Sequence, residues 1–179
     1  MGRKQENRRP TEGAPTSIQL ERARLNAQAG CASALLVGMG SDRGIAGKAM
    51  KSVLFVCIEN SCRSQMAEGF ARALGEGRIE AASAGSRPSG VVNPTAIESM
   101  REIGIDISGH RSEGLDRAAA RPWDFVITMG CGDACPHVPA ARREDWTIPD
   151  PKSMPPAEFA RVRDEIRRRI EDLLHESET

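Results

Sequence analysis

The chain has 179 residues, of which 39% are hydrophobic and 28% charged, a size and composition that fit one soluble α/β domain with a modest core. The 25 lysines and arginines balance the 25 aspartates and glutamates, so no overall charge favours nucleic acid or an anionic membrane as a partner. No apolar run approaches the roughly 20 residues that span a bilayer.

The first 50 residues show no sustained hydrophobic period. Only residues 17–29 have a sparse apolar face that predicts a helix. Met50 stands just before the first strong strand and could itself be a start codon. We therefore interpret residues 1–50 as a disordered extension or an over-long gene start, and residues 51–179 as the folded domain.

From residue 52 the chain alternates short apolar runs, typical of buried parallel strands, with amphipathic stretches. Asn93 before Pro94 predicts a capped helix start, and Gly104 predicts its end. This alternation indicates a doubly wound α/β domain, in which ligands bind beyond the carboxyl ends of strands, here at Cys57 and Cys131. The predicted elements are strand 53–56, helix 63–74, strand 79–84, helix 94–103, strand 124–129 and a helix beginning at 155–156 and including 159–173.

The segment 57–64 lies between the first strand and the first helix and reads C-x5-R-S. A loop of this length that closes on a helix N-terminus can turn its N–H groups inward around a tetrahedral oxyanion. Arg63 adds a planar fork for two oxygens, and the same donors favour the thiolate of Cys57. Ser64 could donate its hydroxyl to that sulfur, and Asn60 could brace the loop.

The alternative is a buried strand cysteine followed by an ordinary helix cap, because C-x5-R also occurs by chance. The position between an apolar strand and an amphipathic helix favours a catalytic Cys57. The predicted oxyanion-binding residues are Ile58, Glu59, Asn60, Ser61, Cys62, Arg63 and Ser64.

An acid and a second thiol pair complete the candidate site. Asp150 precedes a proline that fixes the following backbone, and it could act as general acid for a departing oxygen. Cys131 and Cys135 lie four residues apart in a glycine-containing segment after the third strand, so they could meet in a disulfide and pass electrons by exchange. The alternative is structural zinc held by the soft ligands Cys57, Cys62, Cys131, Cys135 and His137, although their spacing is poor for zinc.

Residues 53–70, which read VLFVCIENSCRSQMAEGF, resemble the opening of thioredoxin-coupled arsenate reductases, which share the low-molecular-weight tyrosine phosphatase fold. The resemblance covers residues 52–175 and includes several further motifs in order. It implies a small parallel four-stranded sheet with helices on both faces. The further motifs are at 83–85, 92–94, 106–108, 135–136, 150–151 and 162–166.

The resemblance also implies a mechanism. Cys57 would attack arsenate held by the loop and Arg63 while Asp150 protonates the leaving oxygen. Cys131 would then expel arsenite and form a disulfide with Cys57. Cys135 would resolve that disulfide, and thioredoxin would reduce the resulting Cys131–Cys135 bond.

Asn60, Glu68 and Ser83 match positions that hold a potassium ion in some relatives, and Glu113 stands where those relatives carry aspartate. Two features depart from the family pattern. The gap between Cys131 and Cys135 is shorter than in the best-known members. Glu59 places a carboxylate in the loop, and we expect its side chain to point to solvent.

Two other functions stay open at this stage. The same loop could hydrolyse phosphotyrosine, but Lys152 and Ser153 stand where phosphatases of this fold usually place an aromatic residue, and the chain has no tyrosine. A reductase could also use mycothiol or glutaredoxin as electron donor. The presence of both Cys131 and Cys135 favours thioredoxin instead. The odd number of five cysteines favours a reducing compartment, so we expect the protein in the cytoplasm. We also expect it to be a monomer.

Overall fold

The computed structural model describes residues 50–130 and 137–176. The predictions for residues 1–50, Met50 excepted, lie outside the described residues. In chain order the elements are strand β1 (Lys51–Cys57), helix α1 (Arg63–Gly75), strand β2 (Ile79–Gly85), helix α2 (Pro94–Glu102), the short helix α3 (Leu115–Ala119), strand β3 (Trp123–Thr128), strand β4 (Ala140–Asp145), a 3-10 turn (Pro151–Ser153) and helix α4 (Pro156–Glu176).

The four strands form one parallel sheet in the order β2-β1-β3-β4. Strand β1 is central, and its apolar residues alternate between the two faces of the sheet. Val53 and Phe55 pack into a core with α1, α2 and α4, whereas Leu54 and Val56 pack on the other face with α3. The predicted four-stranded parallel sheet with helices on both faces is therefore confirmed.

The helices follow the predicted patterns closely. Asn93 caps α2 by accepting a 2.8 Å hydrogen bond from the Thr95 amide, and Gly104 follows the helix with a left-handed φ of 82°. The predicted apolar stripe of α4 is buried along its length, including Phe159 and Ile170. Among the described residues, no helix is long and apolar enough to cross a membrane.

Two elements escaped the sequence analysis. Strand β4 lies at the edge of the sheet and contains four charged residues in its six positions, so it lacks the apolar run that marks a buried strand. Helix α3 has only five residues, too few for a helical period to be visible.

Candidate active site

The loop between β1 and α1 turns its carbonyl groups outward. Every carbonyl from Cys57 to Ser61 accepts a hydrogen bond from outside the loop. The donors are Ser86 N (3.2 Å), Arg87 N (2.8 Å), Ser89 N (3.0 Å), Gln65 Nε2 (3.1 Å) and Asn93 N (2.9 Å), for residues 57 to 61 in order. In a trans peptide the next residue's N–H points opposite to the carbonyl, so the N–H groups of residues 58–62 face inward. Within the described part of the chain, none of them donates to a protein acceptor. The loop thus has the form of an anion nest.

Gly85 allows this loop to lie against the end of β2. A Cβ atom at Gly85 would stand 2.8 Å from the Ile58 carbonyl oxygen and 2.9 Å from the Asn60 nitrogen. Asn60 itself takes a left-handed backbone with φ 48°, a conformation that asparagine tolerates better than most residues. The sequence analysis included this residue only in the motif at 83–85, whereas the structure gives Gly85 a role in shaping the loop.

The Cys57 side chain is held by a short hydrogen-bonded chain. The residue is 2% exposed, and its sulfur lies 3.1 Å from the Ser64 hydroxyl oxygen. The Asn60 amide nitrogen donates to that same oxygen at 2.8 Å. Because Asn60 supplies a hydrogen to Ser64, the hydroxyl hydrogen of Ser64 is available for the sulfur. The predicted contacts of Ser64 and Asn60 are confirmed.

Arg63 is fixed at the start of α1 by two later segments of the chain. Its Nη1 donates to the Ile148 carbonyl at 3.1 Å, and its Nη2 lies 3.1 Å from Asp150 Oδ2. Gly130, just after β3, leaves room for the guanidinium, since a Cβ there would be 2.7 Å from Nη1. Asp150 therefore reaches the loop as predicted, in position to serve as a proton donor or acceptor.

The two loop cysteines differ in their surroundings. Burial raises the pKa of Cys62 to about 11, against a smaller lowering effect of the hydrogen bond from Ser61. Cys62 is therefore a neutral thiol at physiological pH. Cys57, by contrast, lies beside the Ser64 hydroxyl at the start of the loop whose N–H groups face inward.

A second line of contacts braces the loop from α1. Gln65 donates from Nε2 to Asn60 Oδ1 at 2.9 Å and to the Arg111 carbonyl at 2.8 Å. Its Oε1 lies 2.9 Å from His110 Nδ1. His110 belongs to this bracing network and lies two hydrogen bonds away from Asn60. Sequence reasoning missed Gln65, although its position two residues after Arg63 was visible.

Glu59 stands at the rim of the loop. Its carboxylate accepts hydrogen bonds from Lys152 Nζ at 2.9 and 2.8 Å and from the Ser61 hydroxyl at 3.2 Å. The hydrogen bond with Lys152 lowers the pKa of Glu59 and raises the pKa of Lys152, so both are charged at neutral pH. The Glu59 side chain is 36% exposed, in keeping with the expectation that it points to solvent, and a lysine 93 residues away in the sequence holds it there.

The four residues named for potassium are partly brought together. Asn60 Nδ2 donates to Ser83 Oγ at 2.8 Å, and Ser83 donates to Glu68 Oε2 at 2.5 Å. Glu113 contributes its backbone N–H, which donates to Asn60 Oδ1 at 2.8 Å.

The oxygens that a cation would need already have partners. Glu68 Oε1 lies 2.5 Å from the Arg72 guanidinium, and Asn60 Oδ1 accepts from both Gln65 and Glu113. The Glu68 carboxylate is thus paired with the Arg72 guanidinium, which lies where a cation would otherwise balance its charge. The potassium site therefore stays a prediction, and the geometry of these residues does not favour it.

Cys131 and Cys135 lie outside the described residues, so their pairing is a prediction that the structure does not test. Gly130, the residue before Cys131, lies against Arg63. Within residues 50–130 and 137–176, no group of three or more His, Cys, Asp and Glu side chains could hold a metal ion, and the zinc alternative, which needs Cys131 and Cys135, stays untested.

Comparison with known proteins identifies relatives of the whole described domain. Residues 52–178 match the family described as low molecular weight phosphotyrosine protein phosphatase. A protein named glutaredoxin arsenate reductase from Synechocystis sp. is 45% identical over 128 residues, which is 70% of this chain and 97% of that protein.

Two solved structures extend the comparison. The structure titled an arsenate reductase in the phosphate binding state has a TM-score of 0.64 and 44% identity, covering 71% of this chain and 98% of its own. A thioredoxin-dependent arsenate reductase from Corynebacterium glutamicum has a TM-score of 0.61 and 32% identity, covering 72% of this chain and 62% of its own.

Proposed function

Because the chain belongs to the low molecular weight phosphotyrosine protein phosphatase family, and within it to the arsenate reductases, we propose that it reduces arsenate to arsenite through Cys57, Cys131 and Cys135, with thioredoxin as the electron donor. The observation that carries the proposal is the loop of inward N–H groups that runs from Cys57 to Arg63, whose guanidinium lies against Asp150. Arsenate and phosphate share shape and charge, and a relative of this chain is titled as being in a phosphate binding state.

The first step is attack of the Cys57 thiolate on arsenic(V). A sulfur–arsenic bond forms, and one arsenate oxygen leaves as water after taking a proton from Asp150. The proximity of Asp150 Oδ2 to Arg63 Nη2, at 3.1 Å, supports this role, since Arg63 would hold the oxyanion.

The second step transfers two electrons to arsenic. The Cys131 thiolate attacks the Cys57 sulfur, the new disulfide forms, and the electron pair of the broken sulfur–arsenic bond stays on arsenic, which leaves as arsenite. Cys135 then attacks Cys131, which frees Cys57 and leaves a Cys131–Cys135 disulfide. A reduced dithiol partner reopens that disulfide. The position of Gly130 against Arg63 supports an approach of the following cysteine to the loop.

The proposed donor is thioredoxin, because two further cysteines follow β3 and can present a protein disulfide. A related structure is named thioredoxin-dependent, whereas the Synechocystis relative is named for glutaredoxin. A mycothiol route would use Cys57 alone and leave Cys131 and Cys135 without a role.

The test is NADPH oxidation with arsenate, thioredoxin and thioredoxin reductase, repeated with glutaredoxin and mycothiol systems. We expect steady turnover with thioredoxin, and none in Cys57→Ser. Cys131→Ser should still form one arsenic adduct per chain but should not turn over. Full turnover in Cys131→Ser would refute the disulfide route, and turnover only with mycothiol or glutaredoxin would replace the donor.

A further inference from the structure

The Glu59–Lys152 ion pair joins the anion loop to the segment that carries Asp150. Lys152 Nζ lies 2.9 and 2.8 Å from the two Glu59 oxygens. The Lys152 backbone N–H donates to Asp150 Oδ1 at 3.2 Å. Lys152 therefore contacts the proposed acid through its backbone and the loop through its side chain.

This pair has little value for stability. The side chains of Glu59 and Lys152 are 36% and 53% exposed, and ion pairs this open to solvent contribute little to folding. Their position suggests an effect on the ligand instead. Glu59 lies two residues after the nucleophile, where an unpaired carboxylate would repel a doubly charged oxyanion.

If Asp150 protonates the leaving oxygen, an ester group would leave on the side of Asp150, which Lys152 contacts. In a displacement at the central atom, the leaving oxygen is opposite the Cys57 sulfur and faces the proton donor, Asp150. Inorganic arsenate carries only a hydroxyl there, whereas a phosphate ester carries its organic group. Lys152 is two residues from Asp150 and is held across the rim by Glu59.

We propose that Lys152, held by Glu59, is a specificity-determining residue that selects small inorganic oxyanions. It cancels the carboxylate charge at the rim, and it occupies the space into which the organic group of an ester would extend. This inference rests on the proposed function for its biological meaning, but its physical content concerns ligand binding alone.

The test measures binding of inorganic phosphate and of benzylphosphonate to the full chain by calorimetry. Lys152→Met keeps the side-chain stem but leaves Glu59 unpaired, so the Kd for phosphate should rise roughly tenfold. Adding Glu59→Gln removes the repelling charge, and the double variant should bind phosphate within about threefold of the wild type. Because that variant has no ion pair across the rim, its preference for phosphate over benzylphosphonate should fall by roughly tenfold.

Arg167→Ala is the matched control, since it breaks the Arg167–Glu171 pair of 2.8 Å, whose side chains are 50% and 42% exposed on α4. It should leave both affinities unchanged. The proposal is overturned if Lys152→Met binds phosphate as tightly as the wild type, or if the double variant keeps the wild-type preference. Because neither measurement needs reduction, a chain that follows these results but reduces no arsenate would overturn the proposed function alone.

Discussion

The Cys57 sulfur and the Ser64 hydroxyl oxygen lie 3.1 Å apart, seven residues from each other across the turn into α1. Asn60 donates to the same hydroxyl oxygen, so the hydrogen of Ser64 is directed to the sulfur. A hydroxyl that donates to sulfur stabilises the thiolate and not the thiol. This contact connects the architecture of the loop with the reactivity of the nucleophile.

Replacing Ser64 by alanine should therefore slow Cys57 chemistry. A hydrogen bond to a charged group contributes about 1.5–3 kcal/mol, so we expect the alkylation rate of Cys57 near neutral pH to fall by roughly one to two orders of magnitude. Ser99→Ala removes another buried serine, whose hydroxyl contacts Arg163, and should leave that rate unchanged. An equal rate in Ser64→Ala and wild type would show that the hydroxyl does not support the sulfur.

Gly130→Ala should weaken oxyanion binding. The new Cβ would stand 2.7 Å from Arg63 Nη1, and the glycine has a left-handed φ of 72°. Arg63 would have to shift, and we expect phosphate affinity to drop by about tenfold or more, measured by calorimetry. Gly109→Ala is the control because a Cβ there meets nothing within 4 Å. Unchanged affinity in Gly130→Ala would mean that the position of Arg63 does not decide binding.

Potassium should have no special effect on the wild-type chain. The Glu68 side chain is 9% exposed and is paired with Arg72, which is 53% exposed. We expect equal melting temperatures and equal phosphate affinities in potassium and sodium chloride at the same ionic strength. In Arg72→Ala the carboxylate loses its partner, and the free energy of unfolding should fall by about 1 kcal/mol, since half of the pair faces solvent.

The variant Arg72→Ala also distinguishes potassium from sodium. Potassium should restore part of the lost stability of Arg72→Ala if the freed oxygens of Glu68 and Ser83 can hold it. A clear preference of the wild-type chain for potassium over sodium would contradict our interpretation of Arg72 and support the site implied by the resemblance.

His110 should make the fold sensitive to mild acid. Burial is the main cause and lowers the pKa of His110 below its usual value; Glu68 opposes this effect, Arg72 adds to it, and Asp106 makes the smallest contribution, which raises the pKa. The folded state therefore favours the neutral ring. Its stabilising contribution is complete above the unfolded pKa of about 6.5 and is lost as the pH falls through the lower folded value. Stability should thus fall more between pH 7 and pH 5 in the wild type than in His110→Gln, as chemical denaturation at both pH values can measure. Parallel pH profiles of stability in the wild type and His110→Gln would contradict this prediction.

The loop could be predicted because its chemistry lies in one continuous segment. Cys57, Arg63 and Ser64 follow a strand with four consecutive apolar residues and open a helix with one apolar stripe, so the sequence fixes their relative positions. Asp150 was found because the loop required an acid and a proline gave that residue a defined backbone. The family resemblance supplied the number of strands, whereas their order in the sheet came from the structure.

What the sequence did not predict depends on contacts between distant residues. The Glu59–Lys152 pair joins positions 93 apart, and Lys152 looks like any surface lysine in the chain. The close approaches at Gly85 and Gly130 depend on how loops cross the sheet edge. No local pattern encodes these distances.

The most direct test of the account is site-resolved alkylation with iodoacetamide at pH 6, read by peptide mass spectrometry with and without phosphate. We predict that Cys57 reacts at least about tenfold faster than Cys62, whose raised pKa of about 11 keeps it a thiol, and that phosphate protects Cys57. If Cys57 reacts as slowly as Cys62 and phosphate makes no difference, the loop neither ionises the sulfur nor holds an oxyanion, and the account is contradicted.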